Sequence, residues 1–237
     1  MSLAPQADAK RRRHAALKPG IFRPMKPFQF KRHKPDLPAS FEGNDEPIDA
    51  RNPSIIEREL HDFKLEGAKA GNLLIDSCIL DHVSFSGTTF SIIKLKDVKL
   101  INCDLANLEA KSLEANRVEF INCRMTGFRA GKSAFKDILF SECDQRYFQA
   151  RFSKFESVEF DFCNLEESEF RGTDLTGSIF RRCRLQNAEM QESKLFNADL
   201  RTSQVEGLKL DIPALRGATV DPTQAMIFAA LLGIRIA

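Results

Sequence analysis

The chain has 237 residues, 43% of them apolar, and a formal net charge of +2, enough for one domain with a substantial core. It has no run of 18 apolar residues and no apolar segment near its start, so neither a membrane span nor a signal peptide is expected. Charge is unevenly placed: residues 1–40 carry ten Lys or Arg against two Asp, whereas residues 61–220 carry 22 basic and 24 acidic groups.

Residues 1–52 read as a basic, proline-rich arm, with seven of the ten prolines before residue 50. Proline at that density opposes a long helix and favours extended conformers. Residues 10–34 add basic groups to Ile21, Phe22, Met25, Phe28 and Phe30. The arm reads either as a solvated tail or as a docking segment, with Phe22, Phe28 and Phe30 as anchors. A protein surface is the favoured target. Nucleic acid phosphates, through residues 10–34, and an anionic membrane are the alternatives.

Residues 53–60 are expected to close the open end of the next segment as a short helix or first strand. From Leu60 to Val220 every fifth residue is then apolar. Of 33 such centres only Gln145 departs, where the 43% composition alone would supply about 14 apolar residues. A period of five fits neither helix nor strand, so the repeat is itself the structural unit. Two residues before each centre the chain is mostly small, as at Thr88, Cys103, Ser153 and Ala198. Both positions are expected to face inward. A second period, of twenty, aligns Cys103, Cys123, Cys143, Cys163 and Cys183, and likewise Phe120, Phe140, Phe160 and Phe180. Four sides of five residues make one turn of a square coil, with turns ~4.8 Å apart and about eight turns in a rod of roughly 38 Å. Where the centre shrinks to Ala the inward neighbour grows, as in Leu108 with Ala110 and Phe148 with Ala150. Close packing demands that trade if both residues share one slot. At Gln145 a local bulge or a buried amide is expected.

The segments ANLEA (106–110), GTDLTGSIF (172–180), QNAEM (186–190) and FNADLRTSQV (196–205) resemble the pentapeptide repeat family, over about two-thirds of the chain. The resemblance implies an all-β solenoid, a right-handed quadrilateral β-helix, over residues 53–220. The heavy use of Cys and Ser where that family has Ala is a departure.

Residues 221–237 are expected to cap the coil. Asp221 is the N-cap, Pro222 the first helical residue, and 222–232 a helix stopped by Gly233. Ala225, Phe228, Ala229 and Leu232 would share one face. The helix is apolar almost all round, and in the family similar helices pair two rods, so Met226, Ile227, Phe228 and Leu231 are candidate homodimer contacts.

No catalytic, cofactor or metal motif stands out. His61 and His82 point outward without a nucleophile partner, and no phosphate loop or zinc motif is present. The cysteines are expected to be buried and reduced, which suits a reducing, cytoplasmic location. Function is therefore sought on the surface. Arg146, Tyr147, Arg151, Phe152 and Phe162 are the candidate partner-binding residues, since Tyr and Arg often anchor interfaces. The leading reading is a non-enzymatic protein-binding scaffold. The family resemblance implies one alternative, a DNA-mimicking binder of type II topoisomerase (gyrase) conferring quinolone or toxin protection; a nucleic-acid binder using the arm and a secreted effector are the others.

Overall fold

The structure, a computed structural model, describes residues 29–41, 47–231 and 233–235. Phe22 and Phe28 lie outside the described residues. Almost every fifth residue from Glu57 to Gly217 takes a positive φ, which turns the chain through a corner. Asn, Asp and Gly tolerate that region best, and they hold many corners: Asn102, Asn107, Asn122, Gly127, Asp137, Gly172 and Gly177. A main-chain bond closes many of these turns, as from the Phe128 amide to the Met125 carbonyl at 3.0 Å. The Asp or Asn just before a centre helps. Asp104, Asn164, Asp174 and Asp199 each accept the amide two residues on, at 3.0–3.1 Å. That is why the repeat places a short polar side chain there.

The described residues form nine strands, several of which run through a corner: β1 (Ser54–Ile56), β2 (Glu59–His61), β3 (Lys69–Asp81), β4 (Thr89–Ile101), β5 (Glu109–Ala110), β6 (Leu113–Ile121), β7 (Ala134–Ser141), β8 (Lys154–Asp161) and β9 (Ile179–Arg181). All pair in parallel with a register of twenty, so Ile75, Leu95, Ala115, Phe135 and Phe155 form one column. The result is a β-solenoid. Its strand path β1-β3-β4-β6-β7-β8-β9 makes about six turn-to-turn steps, against the eight turns expected. Single bridges continue the register, from Arg184 to Gln204 and from Glu189 to Lys209. Later sides pair through these single bridges rather than as strands. β3 and β4 are long because the corners at 72 and 92 lack positive φ, and the large inward residues Leu73 and Ile93 follow them.

Phe120, Phe140, Phe160 and Phe180 form a contiguous buried stack with ring centroids 4.8–4.9 Å apart, the strand spacing. Such pairs add roughly 0.5–1.5 kcal/mol beyond area burial. The six cysteines are free and buried. Each of the five stacked thiols donates to a carbonyl of the preceding turn, as Cys103 Sγ does to Leu80 O at 3.4 Å and Cys163 Sγ to Phe140 O at 3.4 Å. Ser153 and Thr173 make the same bond, to Ala130 O at 3.1 Å and Ala150 O at 2.6 Å. Cys and Ser therefore do at these positions what Ala cannot: they tie consecutive turns together. Burial pushes the Cys78 and Cys163 thiols up, away from the thiolate.

At the far end a short 3₁₀ segment (Ile212–Leu215) precedes helix α1 (Pro222–Leu231). Asp221 and Gln224 form a reciprocal capping box: Asp221 Oδ1 accepts the Gln224 amide, and Gln224 Oε1 accepts the Asp221 amide, both at 3.0 Å. Gln224 Nε2 also donates to the Leu200 and Ser203 carbonyls, at 2.6 and 2.7 Å. The inward face of α1 is thus Gln224 with Phe228, while Ala225 is exposed. The last turn's carbonyls need a donor, and among the helix side chains only Gln224 supplies one.

Gln145 is fully buried, and neither of its side-chain amide atoms meets a protein partner. There is no bulge: Asp144 bridges both Arg124 and Asn164 in the common register. An unsatisfied buried polar group costs about 1–3 kcal/mol. Gln145→Leu is therefore expected to raise stability by about 1–3 kcal/mol, read as a higher denaturant midpoint with unchanged slope. A loss of stability would mean that the amide is satisfied in solution.

Candidate interaction surfaces

The coil wall is built from ladders of opposite charge one turn apart. Arg124 pairs with Asp104 at 3.0 Å, Lys194 with Asp174 at 3.5 Å, and Lys209 with Glu189 at 2.9 Å. Each exposed pair contributes little to stability. Together they leave a wall of mixed sign.

The aromatic and arginine residues singled out from the sequence lie around the middle turns. Tyr147, Phe152 and Phe162 are all corner residues with positive φ, and are 49%, 56% and 51% exposed. Phe162 shares a corner column with residue 142, so the three rings mark three successive corners. Arg146 lies on the side between the first two, and Arg151 on the next. The strip thus wraps two adjacent sides of the rod. Its arginines are paired: Arg146 grips Asp144 at 2.7 and 2.9 Å and holds that carboxyl below its usual range, and Arg151 pairs with Glu169. Arg182 lies 3.6 Å over the Phe162 ring and bonds Asp161 at 2.9 Å. Phe152 leans across the next corner, at Gly172, where a Cβ would strike its ring.

A second surface was not foreseen. Residues 29–41 lie lengthwise against one corner of the coil. His33 donates its amide to Asp137 Oδ1 at 3.0 Å, and its ring Nδ1 sits 3.2 Å from Oδ2. Asp36 donates its amide to Asp97 Oδ1 at 2.9 Å. Arg32 reaches Glu119 at 3.0 Å, with a side chain only 10% exposed. Asp97, Glu119 and Asp137 are accordingly buried. Arg117 grips Asp97 with two bonds of 2.5 Å. Burial works to raise Asp97, but Arg117 and the Asp36 amide outweigh it, and the carboxyl is held below its ordinary 3.8. Phe30 is half-buried. Beside the arm runs an open cleft of about 620 Å³, bordered by Arg32, Lys34, Arg117 and Lys136 among others. A sequence signal existed: Asp97, Arg117 and Asp137 recur at intervals of twenty, on corner positions.

The third surface is the far end of the rod. Met226 and Leu231 are exposed on α1, with Ile212 and Ile234 nearby in sequence, whereas Ile227 packs partly against the core and Phe228 is buried. Among the described residues there is no group of three or more side chains suited to hold a metal ion, and no helix long and apolar enough to cross a membrane.

Residues 93–170 match the family model described as Pentapeptide repeat region, and residues 151–201 match Pentapeptide repeats (8 copies). No curated protein sequence matches the chain. Among solved structures it is similar to a trypsin-treated form of QnrB1, a plasmid-mediated fluoroquinolone resistance protein, at 17% identity over 76% of this chain and 100% of that one, with a TM-score of 0.35. It is also similar to HetL, a pentapeptide repeat protein involved in heterocyst differentiation regulation from the cyanobacterium Nostoc sp. strain PCC 7120. There the identity is 16%, over 67% of this chain and 90% of that one, with a TM-score of 0.23.

The arm contact carries a pH dependence. Because Asp97 is held low when docked, its contribution is complete above the ordinary 3.8 and is lost as pH falls through its own lower value. The amide resonance of Asp36, which Asp97 accepts, is expected to keep its docked position at pH 5 and to move only below 3.8. Movement between pH 5 and 7 would show that another group holds the arm.

Proposed function

The chain belongs to the pentapeptide repeat family, and on that footing we propose that it is a non-enzymatic scaffold that binds a protein partner through its wall. One observation carries this reading: the Tyr147, Phe152 and Phe162 rings stand exposed on successive corners of an otherwise polar, charge-paired surface. Corner rings on a rigid rod lose little entropy on contact, and arginines already held by carboxylates present oriented edges. Arg146, Tyr147, Arg151, Phe152 and Phe162 form the contact strip, and Phe22, Phe28 and Phe30 of the arm supply further anchors. The interior is filled by Phe and Leu, so binding falls to the outside. The reading assigns no catalytic, cofactor or metal role to any residue, and it takes the compartment as cytoplasmic.

The test is affinity capture with the full chain and with a Tyr147→Ala/Phe152→Ala variant, read by mass spectrometry. A partner held by hot-spot rings should be depleted at least about 30-fold by the double change, since such a residue contributes ~2 kcal/mol or more. An identical set of captured proteins would reject the strip.

A homodimer through α1 forms part of the proposal, supported by the exposure of Met226 and Leu231 at the rod's end. Met226→Asp with Leu231→Asp is expected to turn a dimer into a folded monomer in light scattering. Phe228→Asp should instead lower thermal stability by about 3 kcal/mol or more, because its ring fills the coil's end.

The exposed helix also favours a second reading, in which two rods joined end to end bind type II topoisomerase in place of DNA. DNA carries one charge per ~1.7 Å, and a wall of 22 basic and 24 acidic groups over residues 61–220 is a poor copy of it. A gyrase supercoiling assay with and without quinolone separates the readings: no effect at stoichiometric excess removes the second. Nucleic-acid binding through residues 10–34 would show as a steep loss of affinity with salt.

A further inference from the structure

The arm is held in an unusual way. It adds no strand to the coil. Corner carboxylates instead take up its backbone amides at His33 and Asp36. Those amides are three residues apart, and the carboxylates that receive them, Asp137 and Asp97, are two turns apart. Three residues of extended, polyproline-like chain span ~9.3 Å, and two turns of the coil span ~9.6 Å. The two repeats are commensurate, so the His33 and Asp36 amides meet corners of one column two turns apart. Pro35 and Pro38 fall off that phase, where no amide is needed. A proline at 33 or 36 would remove a donor. Two described arm side chains also meet seam carboxylates: Arg32, nine-tenths buried, on Glu119, and the more exposed His33 ring, 3.2 Å from Asp137 Oδ2. Lys99 lies 3.8 Å from the Glu119 carboxylate.

We infer that the seam formed by the corner residues Asp97 and Asp137, with Glu119 of β6 beside them, is a recognition site for extended, basic, proline-containing peptide segments of another chain, and that residues 32–36 occupy it in cis. The features it selects are stated by the geometry: two free amides three residues apart, prolines off that phase, and an arginine immediately before the first amide. Charge complementarity supports the same class of partner, because three buried carboxylates, Asp97, Glu119 and Asp137, line the seam and a basic segment lies on them. The arm then acts as a resident competitor that a partner segment must displace. This site is separate from the Tyr147 strip, and the inference stands or falls independently of it.

The test uses the full chain and a fluorescein-labelled peptide spanning Gln29–Phe41, followed by anisotropy. The unaltered chain should bind weakly, because its own arm fills the seam. Arg32→Ala in the chain weakens the resident arm and should tighten peptide binding by about tenfold or more, since apparent affinity scales with the fraction of open sites. Asp137→Asn in the chain should reduce that binding by at least about tenfold. A peptide with His33→Pro and Asp36→Pro keeps Arg32, Lys31 and Lys34 but lacks both amides, and it should not compete. Equal binding by that peptide would reduce the site to charge attraction and overturn the inference. So would absence of saturable binding to the Arg32→Ala chain once its His33 amide resonance shows the arm released. A concentration-dependent dimer of the unaltered chain that Arg32→Ala abolishes would assign the seam to a second copy, and would overturn the case for a different partner.

Discussion

Everything in this molecule depends on the hydrogen bond between a residue and the turn below it. The Arg124 amide meets the Cys103 carbonyl at 2.9 Å, the Asp144 amide meets Cys123 at 3.0 Å, and the Asn164 amide meets Cys143 at 2.9 Å. Each bond spans twenty-one residues, and each fixes the length of the turn between. Local preference yields to that constraint. Among the described residues twenty-two non-glycine residues hold positive φ, a conformation that costs an ordinary residue roughly 1–2 kcal/mol. Tyr147, Phe152, Phe162 and Arg117 would not choose it alone. They adopt it because the turns above and below already have it, and stacking makes the corner collective.

The same register governs the surface. Many wall side chains meet a vertical neighbour twenty residues away, and others meet one two residues along the same side, as Arg146 meets Asp144. Arg124 therefore finds Asp104, Lys96 finds Asp76, and Arg129 finds Glu109. Charge is consumed in such pairs, and what remains for a partner is shape and rings. This is why the aromatic corners matter more to function than the arginines gathered around them.

The coil was legible because its signal is redundant. Any one pentapeptide is weak, but thirty-two apolar centres in register and the trade of volume between Leu108 and Ala110 admit one geometry. The buried cysteines and the outward Tyr147, Phe152 and Phe162 follow from the same phase. What stayed hidden is whatever the phase does not encode. Period alone could not say that Arg32 and His33 pack on Glu119 and Asp137, because nothing repeats in the arm that repeats in the coil. Gln224 was missed for a different reason. Its partner pattern, Asp221 and Gln224 three apart, was readable, but the need for its amide arises only from the Leu200 and Ser203 carbonyls at the coil's end. The strand path is shorter than the eight turns expected because the apolar centres continue over sides that pair only through single bridges.

The arm contact changes what the coil is. By themselves Asp97, Arg117 and Asp137 would form an alternating charge ladder like the others on the wall, and the residues of the arm lie on it. With them it becomes a buried polar seam in which Asp97 takes two arginine bonds and a backbone amide. Buried carboxylates strongly disfavour the loss of their partners, so the seam favours some occupant at all times. A repeat protein of this kind, rigid and closed in the middle, has few places where occupancy can change. The commensurate pitch of an extended chain and a stacked corner column supplies one, using only the spacing that holds the rod together.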